Sequence, residues 1–286
     1  MPIKEQKVKS VLSVYRDRDP LYGFRFVADP YLGCSHQCLF CISQKREDNK
    51  EDIQVRINAA EVLSRQLVKK QREIVGLGQG CDPYMMLEKH YLITHDILQV
   101  LAVQGFPVHI VTKSNMVQRD CKLLQEIQEK TMATVTFQFS APSLELARNI
   151  EPNAPSPIKR FNALYNLATK GIKCGIALHP ILPFISDSAQ GIKQLILAAK
   201  ESGASYVLAA PFTINSKLSK KYLAYLEQNN PAMIDSYSDL YGRKGKTPDS
   251  YWQSLDEMIK TLTHEQGMAY EPPFWSEIQK KQLSLF

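Results

Sequence analysis

The chain has 286 residues, of which 44% are hydrophobic and 22% are charged, a composition typical of an ordinary globular protein. It contains no low-complexity tract, no tandem repeat and no apolar stretch long enough to span a bilayer, which excludes repeat and membrane-spanning classes. The formal net charge of +6 permits a polyanionic partner such as nucleic acid without requiring one.

Strand-like and helix-like segments alternate along the chain. A first strand is predicted at 23–28, and five more follow at 73–77, 107–112, 133–139, 173–178 and 205–209. Helical periodicity occupies 58–71, 91–104, 117–129, 156–170 and 188–202. Gly105, Gly171 and Gly203 each follow a helical segment, where a left-handed C-cap is expected. Six such units predict an α/β fold with a parallel sheet, a partial (β/α)6 barrel open on one side.

The predicted barrel spans residues 23–214, between an N-terminal extension (1–22) and a helical C-terminal extension (215–281). In α/β barrels, functional residues gather at the carboxyl ends of the strands. The segments that follow the predicted strands here are polar or small, which places a candidate site at that edge of the sheet.

Three cysteines, Cys34, Cys38 and Cys41, follow the first predicted strand with the spacing C-x3-C-x2-C. Thiolates are soft ligands for iron or zinc. A 4Fe-4S cluster is normally held by four cysteines, so three cysteines on one loop leave one iron open to another ligand. This open position is what a radical S-adenosyl-L-methionine (SAM) enzyme requires. Three alternatives stay open: a Cys3His zinc site that uses His36, a redox pair beside a third cysteine, and a structural disulfide.

The cellular compartment expected from the sequence helps to choose between a metal site and a disulfide. No signal-peptide pattern is found, so a reducing cytoplasm is expected. In that compartment, clustered cysteines are typical of metal or redox chemistry rather than of disulfides. The sequence therefore predicts a cytoplasmic, metal-binding protein.

Six segments together resemble radical SAM proteins related to spore photoproduct lyase, the DNA-repair enzymes of that type. They are DPYLGCSHQCLFC at 29–41, CDPYMMLE at 81–88, VTKSNMVQRD at 111–120, EPNAPSPIKR at 151–160, GIKCGIALHPILP at 171–183 and LYG at 240–242. The match runs nearly from end to end. It implies a partial TIM-type barrel of the radical SAM kind, in which Cys34, Cys38 and Cys41 hold a 4Fe-4S cluster and SAM lies over it.

The resemblance also implies residues that bind SAM. Lys113 matches a strand-end lysine that approaches the SAM carboxylate, and a cation there would pair with that anion. Ser140 matches a serine placed to meet the ribose. Asp82 and Glu88 are expected to receive the amino group or the ribose hydroxyls, although Glu88 equally suits a cap for the helix that begins near Lys89.

Two catalytic candidates follow the second predicted strand. Cys81 lies in the loop where related lyases carry a cysteine hydrogen donor, but it directly precedes Asp82, a residue or two later than the family's position. Tyr84 is expected to take part in radical relay or to form an aromatic wall for a stacked base. Glu151 and Arg160 are either functional or a helix-start ion pair.

The reaction implied is that of a radical SAM enzyme. A reduced cluster, supplied by an electron donor such as flavodoxin or ferredoxin, cleaves SAM to methionine and a 5′-deoxyadenosyl radical, which abstracts hydrogen from the substrate. The resemblance implies a lyase-like DNA-repair and DNA-binding protein acting on a DNA lesion. The alternatives are a radical SAM enzyme acting on RNA, a peptide or a small molecule, and a non-catalytic, clamp-associated metal protein that binds nucleic acid.

The tail at 282–286 predicts a protein partner. It reads Gln282, Leu283, Ser284, Leu285 and Phe286. The pentapeptide is similar to the one with which many bacterial DNA-metabolism proteins dock on the sliding clamp. Leucine and phenylalanine anchors fit an apolar pocket while the glutamine bonds at its rim. The alternative is that these side chains pack back on the protein's own core.

Overall fold

The computed structural model describes residues 1–41, 52–214, 220–242 and 245–274. The predicted clamp-binding tail, residues 282–286, lies outside the described residues. The strands are β1 (Ile3–Gln6), β2 (Ser13–Val14), β3 (Phe26–Val27), β4 (Tyr31–Leu32), β5 (Ile53–Arg56), β6 (Val75–Leu77), β7 (Val108–Thr112), β8 (Ala133–Phe139), β9 (Lys173–Ile181) and β10 (Tyr206–Pro211).

Helices connect these strands and continue beyond the last one. The α-helices are α1 (Ala59–Leu67), α2 (Glu88–Tyr91), α3 (Ile93–Gln104), α4 (Cys121–Lys130), α5 (Leu144–Ile150), α6 (Pro157–Ala168), α7 (Ala189–Glu201), α8 (Lys220–Asn229), α9 (Ala232–Tyr241) and α10 (Asp249–Glu265). A 3-10 helix, Asn115–Asp120, precedes α4. Within the described ranges, no helix is long and apolar enough to cross a membrane.

The main sheet has seven strands in the order β10-β9-β8-β7-β6-β3-β2. Six of them, from β3 to β10 in this order, run parallel, and β2 pairs antiparallel with β3 at one edge. The predicted open α/β architecture with six parallel strands is therefore confirmed. A second sheet, in the order β1-β5-β4, was not predicted, because its strands are only two to four residues long.

The predicted and observed element boundaries agree best where the sequence pattern is local. The prediction for β8 matches its observed bounds, and the three C-cap glycines all have positive φ angles of 67° to 88°. The helix predicted at 91–104 corresponds to α3 and begins two residues later, because Leu92 adopts a left-handed conformation that separates α3 from the short helix α2. The predicted strand at 173–178 continues to Ile181, whose carbonyl accepts a hydrogen bond from Phe212 N.

Two glycines let aromatic rings pack closely against the main sheet. A Cβ atom on Gly76 would lie 2.4 Å from the ring of Phe24, and one on Gly175 would lie 2.3 Å from the ring of Tyr206. Such close approach requires glycine, since real Cβ atoms do not come this near. Phe24 and Tyr206, together with Tyr22, therefore belong to one buried cluster packed on the sheet.

A second apolar cluster joins the cysteine loop (residues 33–41) to the C-terminal helices. Cys38 and Phe40 of the loop belong to the same buried cluster as Phe212, which follows β10. The aromatic members from α8 and α9 are Tyr222, Tyr237 and Tyr241. The helices that follow β10 thus lie against the loop that carries the three cysteines.

Candidate cofactor-binding site

A cavity of about 220 Å³ lies at the carboxyl ends of the parallel strands. The side chains and backbone around it come from the cysteine loop and from the ends of β6 to β10. They are Cys34, His36, Cys38, Phe40, Cys41, Gly78, Gln79, Cys81, Asp82, Val111, Lys113, Gln138, His179, Pro180, Pro211, Phe212 and Thr213.

The backbone of the cysteine loop turns back on itself so that all three cysteines line this cavity. Gln37 adopts a left-handed conformation, with φ of 53°, between the first two cysteines. Leu39 N donates a hydrogen bond to Ile150 O over 2.9 Å, which fixes the loop to the end of α5. Cys41 N donates to Cys38 O over 3.1 Å and closes the last turn.

Burial favours the neutral form of the Cys34 and Cys38 thiols. It raises the pKa of Cys34 to about 12 and raises that of Cys38 well above its ordinary value, although Lys113 opposes the shift at Cys38. Thiolate ligands at these positions therefore need a compensating positive charge, which bound iron would supply.

The three cysteines are not arranged around a single metal ion. Among the described residues, no three Cys, His, Asp or Glu side chains converge as one zinc ion would require. The ligands of a 4Fe-4S cluster bind separate irons and need not meet at one point. A set of three thiols around one cavity fits a cluster with an open iron better than it fits a Cys3His zinc site.

Asp82 connects three parts of the site. Its Oδ1 accepts hydrogen bonds from Tyr84 N (2.8 Å) and Thr112 Oγ1 (2.7 Å). Its Oδ2 accepts one from Lys113 N (2.7 Å) and lies 3.4 Å from His36 Nε2. This one carboxylate thus ties the ends of β6 and β7 to the cysteine loop.

Lys113 presents a buried ammonium to the cavity. Its Nζ lies 3.4 Å from Gln138 Oε1, 3.4 Å from Glu151 Oε1 and 5.5 Å from the centre of the Phe40 ring. Glu151 also pairs with the buried Arg160, as the ion-pair alternative predicted. Burial alone would raise the pKa of Glu151, but the two cations together hold it below its ordinary value. Two cations and one carboxylate leave a net charge of +1 in this trio, which suits an anionic ligand group.

The loop after β6 is built around one buried carboxylate. Asp29 accepts hydrogen bonds from Gly78 N (2.8 Å), Gln79 N (3.3 Å) and Gly80 N (2.7 Å). Gly78 has a φ of 103°, and a Cβ there would lie 2.0 Å from Val111 O, so only glycine fits. This loop places Cys81 on the cavity.

Cys81 is fully enclosed on the side away from the cavity. Its Sγ lies 3.1 Å from Tyr31 O, to which the thiol donates. Burial raises the pKa of Cys81 well above its ordinary value, so the S–H bond stays intact at neutral pH. The geometry thus keeps a protonated thiol on the cavity that the three cysteines of the loop also line.

Glu88 does not line the cavity, which corrects its prediction as a cofactor ligand. Its buried carboxylate accepts hydrogen bonds from Thr94 N (3.0 Å) and His95 N (3.3 Å) in the first turn of α3. Tyr31 Oη and Arg119 also donate to it. The capping alternative is the one observed, except that the capped helix is α3 rather than a helix beginning at Lys89.

Tyr84 and Ser140 also lie outside the cavity lining. Tyr84 is fully buried, and its hydroxyl donates to Asp120 Oδ2 over 2.9 Å, so the ring forms no wall of the cavity. Ser140 Oγ donates to His179 O over 3.0 Å. Ser140 therefore supports a lining residue instead of facing a ligand itself.

Two histidines line the cavity; His36 was considered only as a ligand of the zinc alternative, and His179 was not predicted as a site residue. His36 is buried, and its Nε2 has no hydrogen-bond partner among the described residues. His179 Nδ1 lies 2.9 Å from Tyr22 Oη, and burial lowers the pKa of His179 to about 4, so this ring is neutral. Sequence reasoning missed His179 because it lies in no periodic pattern, although it follows a predicted strand end.

Sequence comparisons find relatives over most of the chain. No family model matches. An uncharacterized protein of Mycobacterium tuberculosis (strain ATCC 25618 / H37Rv) is 28% identical over 257 residues, which cover 86% of this chain and 76% of the relative. An uncharacterized protein of Methanocaldococcus jannaschii is 26% identical over 246 residues, which cover 84% of this chain and 86% of the relative.

Comparison with solved structures identifies the fold. A spore photoproduct lyase variant with bound AdoMet and dinucleoside spore photoproduct superposes with a TM-score of 0.69 at 16% identity, over 95% of this chain and 81% of that one. SuiB of Streptococcus suis bound to precursor peptide SuiA gives a TM-score of 0.56 at 16% identity, over 86% of this chain and 48% of that one. The chain therefore shares the fold of spore photoproduct lyase and, over most of its length, that of SuiB.

Proposed function

We propose that this protein is a radical SAM enzyme. When bound, a reduced 4Fe-4S cluster with SAM supplies a 5′-deoxyadenosyl radical that abstracts hydrogen from an unactivated C–H bond. The observation that carries the proposal is that Cys34, Cys38 and Cys41 line one cavity together with Lys113 and Asp82. The fold supports it, since the solved structures it resembles are of that enzyme class.

Each lining residue has a role that its surroundings support. Cys34, Cys38 and Cys41 hold the cluster, and the net charge of the Lys113 trio attracts the SAM carboxylate. Asp82 orients the backbone of Lys113 and offers its oxygens to the SAM amino group. Apolar walls exclude water from the reacting atoms, and they include Phe40, Val111, Pro180, Pro211 and Phe212.

The finer proposal is that the substrate is a DNA lesion. The mild positive charge is compatible with a nucleic-acid substrate, and the structural neighbour named above carries a dinucleoside spore photoproduct. Cys81 would donate its S–H hydrogen atom to a substrate carbon radical, forming a C–H bond and leaving the radical on sulfur. We further propose that flavodoxin, ferredoxin or a similar protein donates the electron, and that the enzyme is cytoplasmic. Residues 282–286 would bind the sliding clamp.

Formation of 5′-deoxyadenosine tests the enzyme class. Protein reconstituted anaerobically with iron and sulfide, then reduced with dithionite, is expected to convert SAM to 5′-deoxyadenosine. Cys38→Ala is expected to abolish the product because it removes a cluster ligand. Cys121→Ala is the matched control, since Cys121 is half-buried at the start of α4 and does not line the cavity. Equal product from wild type and Cys38→Ala would contradict the proposal.

A separate assay tests the substrate. Reconstituted protein is incubated with UV-irradiated DNA, undamaged DNA, RNA and a peptide, and the repaired or altered product is measured. Binding to the two DNA samples is also compared at two salt concentrations, because phosphate contacts must weaken as salt rises. Turnover of only RNA or peptide would reject the DNA lesion and leave the radical SAM assignment intact.

A further inference from the structure

Phe184 is an exposed aromatic residue in a strained conformation, in the segment that follows β9. Its side chain is 45% exposed, and its φ angle is 62°. A bulky residue in the left-handed region is rare because its Cβ clashes with the backbone. Such a conformation persists only where the surrounding structure holds it, and it is concentrated at ligand clamps and functional sites.

Hydrogen bonds hold this conformation from both sides. Phe184 N donates to Asp187 Oδ2 over 2.9 Å, and Tyr251 Oη of α10 donates to the same oxygen over 2.6 Å. Leu182 N donates to Ser186 Oγ over 2.8 Å, and Ser186 N donates back to Leu182 O over 2.8 Å. The turn is thus fixed, and the Phe184 ring is presented to solvent at little cost in conformational entropy.

A series of ring contacts connects Phe184 to a residue that lines the cavity. Phe184 packs edge-on against Tyr237 with ring centres 5.8 Å apart, and Tyr237 stacks on Tyr241 at 5.6 Å. Tyr241 in turn contacts Phe212 at 6.4 Å, and Phe212 lines the cavity. Aromatic contacts therefore run without a break from the cavity wall to the exposed ring of Phe184.

We propose that Phe184 is a stacking platform for an unpaired base of a nucleic-acid substrate beside the cavity. The proposal rests on the nucleic-acid substrate of the proposed function. A base that enters an enzyme cavity leaves its stack, so its neighbours lose stacking energy that an exposed aromatic ring restores. Stacking on a ring tolerates any base, since every base has a π face. The uncharged surface of Phe184 suits the base and not the phosphate.

Oligonucleotide binding tests this role. Affinities of single-stranded DNA and RNA of one sequence are measured by fluorescence anisotropy on the reconstituted protein. Phe184→Ala is expected to weaken binding about 5- to 150-fold, the range for loss of one base–aromatic stack. Phe184→Trp is expected to keep the wild-type affinity. Tyr165→Ala is the matched control, since Tyr165 is 54% exposed on α6.

A second variant separates stacking from folding. Phe184→Gly relieves the left-handed strain, so its melting temperature should equal or exceed that of the wild type while binding is still lost. Wild-type affinity in Phe184→Ala, or loss of affinity in Phe184→Trp, would overturn the platform.

The experiments distinguish a wrong assignment of Phe184 from a wrong proposed function. Failure of the wild type to bind either oligonucleotide would overturn both the platform and the nucleic-acid substrate. Failure to form 5′-deoxyadenosine would reject the radical chemistry only, because the binding comparison does not depend on it.

Discussion

The two sides of the cavity are built from different chemistry. On the side of the cysteine loop, charged groups are fixed by partners: Asp82 takes four contacts, and Lys113 lies against Glu151. We call this the cysteine side. Another part of the lining, which we call the far side, carries no charge and is formed by His179, Pro180, Pro211, Phe212 and Thr213.

This difference indicates which ligand each side serves. A cofactor such as SAM has the same charged groups in every turnover, so fixed charges suit it and need no rearrangement. A neutral wall forms no ion pairs, so it selects a substrate by how well the substrate fits the shape of the cavity. We therefore expect changes on the cysteine side to affect cofactor binding, and changes on the far side to affect the substrate.

The far side is held from behind by tyrosine hydroxyls of α9. Tyr241 Oη donates to Phe212 O over 2.9 Å, and Tyr237 Oη donates to Pro183 O over 2.7 Å. Tyr222 Oη lies 2.7 Å from Tyr237 Oη. The neutral wall thus depends on helices that come after the barrel in the chain.

The largest effect is expected for Glu151→Gln on the cysteine side. The change leaves Lys113 and Arg160 buried without their carboxylate, which costs about 3–5 kcal/mol of unfolding free energy. Glu61→Gln breaks only the exposed pair with Arg65 and should cost roughly 0.3–0.5 kcal/mol. Urea unfolding measures both. Similar losses in the two variants would show that the cysteine side is not built on buried charge.

Lys113→Met should act on SAM rather than on the fold. Loss of one charge-assisted contact, worth about 1.5–3 kcal/mol, should raise the Kd for SAM about 10- to 150-fold. The Glu151–Arg160 pair remains, so the melting temperature should change less than in Glu151→Gln. Equilibrium dialysis with reconstituted protein measures the Kd, and Lys89→Met on the exposed face of α2 is the control. An unchanged Kd would remove Lys113 from the cofactor site.

The smallest effect is expected for Tyr241→Phe on the far side. Loss of its hydroxyl leaves Phe212 O unpaired at a cost of about 1 kcal/mol. Tyr270→Phe loses a comparable bond to Asp256 Oδ1, of 2.6 Å, away from the cavity. Both should lose similar stability with SAM affinity unchanged, whereas only Tyr241→Phe should weaken oligonucleotide binding. Equal oligonucleotide affinity in the two variants would contradict the claim that the far side binds the substrate.

The sequence predicted what depends on local patterns. The cysteine spacing, the six parallel strands and the C-cap at Gly105 are local or periodic features. The resemblance to radical SAM proteins implied Lys113 and Asp82 as site residues, and both also follow predicted strand ends. These positions follow from the rule that parallel strands end at one edge of a sheet.

The rest depends on contacts between residues far apart in the chain. Glu88 resembles a ligand in sequence, but its carboxylate is taken up by α3 and by Arg119, 31 residues away. The tyrosine hydroxyls behind the far side bond backbone atoms 29 and 54 residues away. The strained turn at Phe184 depends on Tyr251 of α10. Sequence periodicity cannot predict these hydrogen-bond partners. Each pair forms because a buried polar group needs a partner in the folded chain.

The central claim is that the three-cysteine loop holds a 4Fe-4S cluster whose open iron binds SAM. The most direct measurement is the EPR spectrum of reduced, anaerobically reconstituted protein with and without SAM. The account predicts a cluster signal in the wild type and in Cys121→Ala, its g values changed by SAM, and no such signal in Cys38→Ala. A signal that SAM leaves unchanged, or a protein that takes up zinc in place of the cluster, would contradict it.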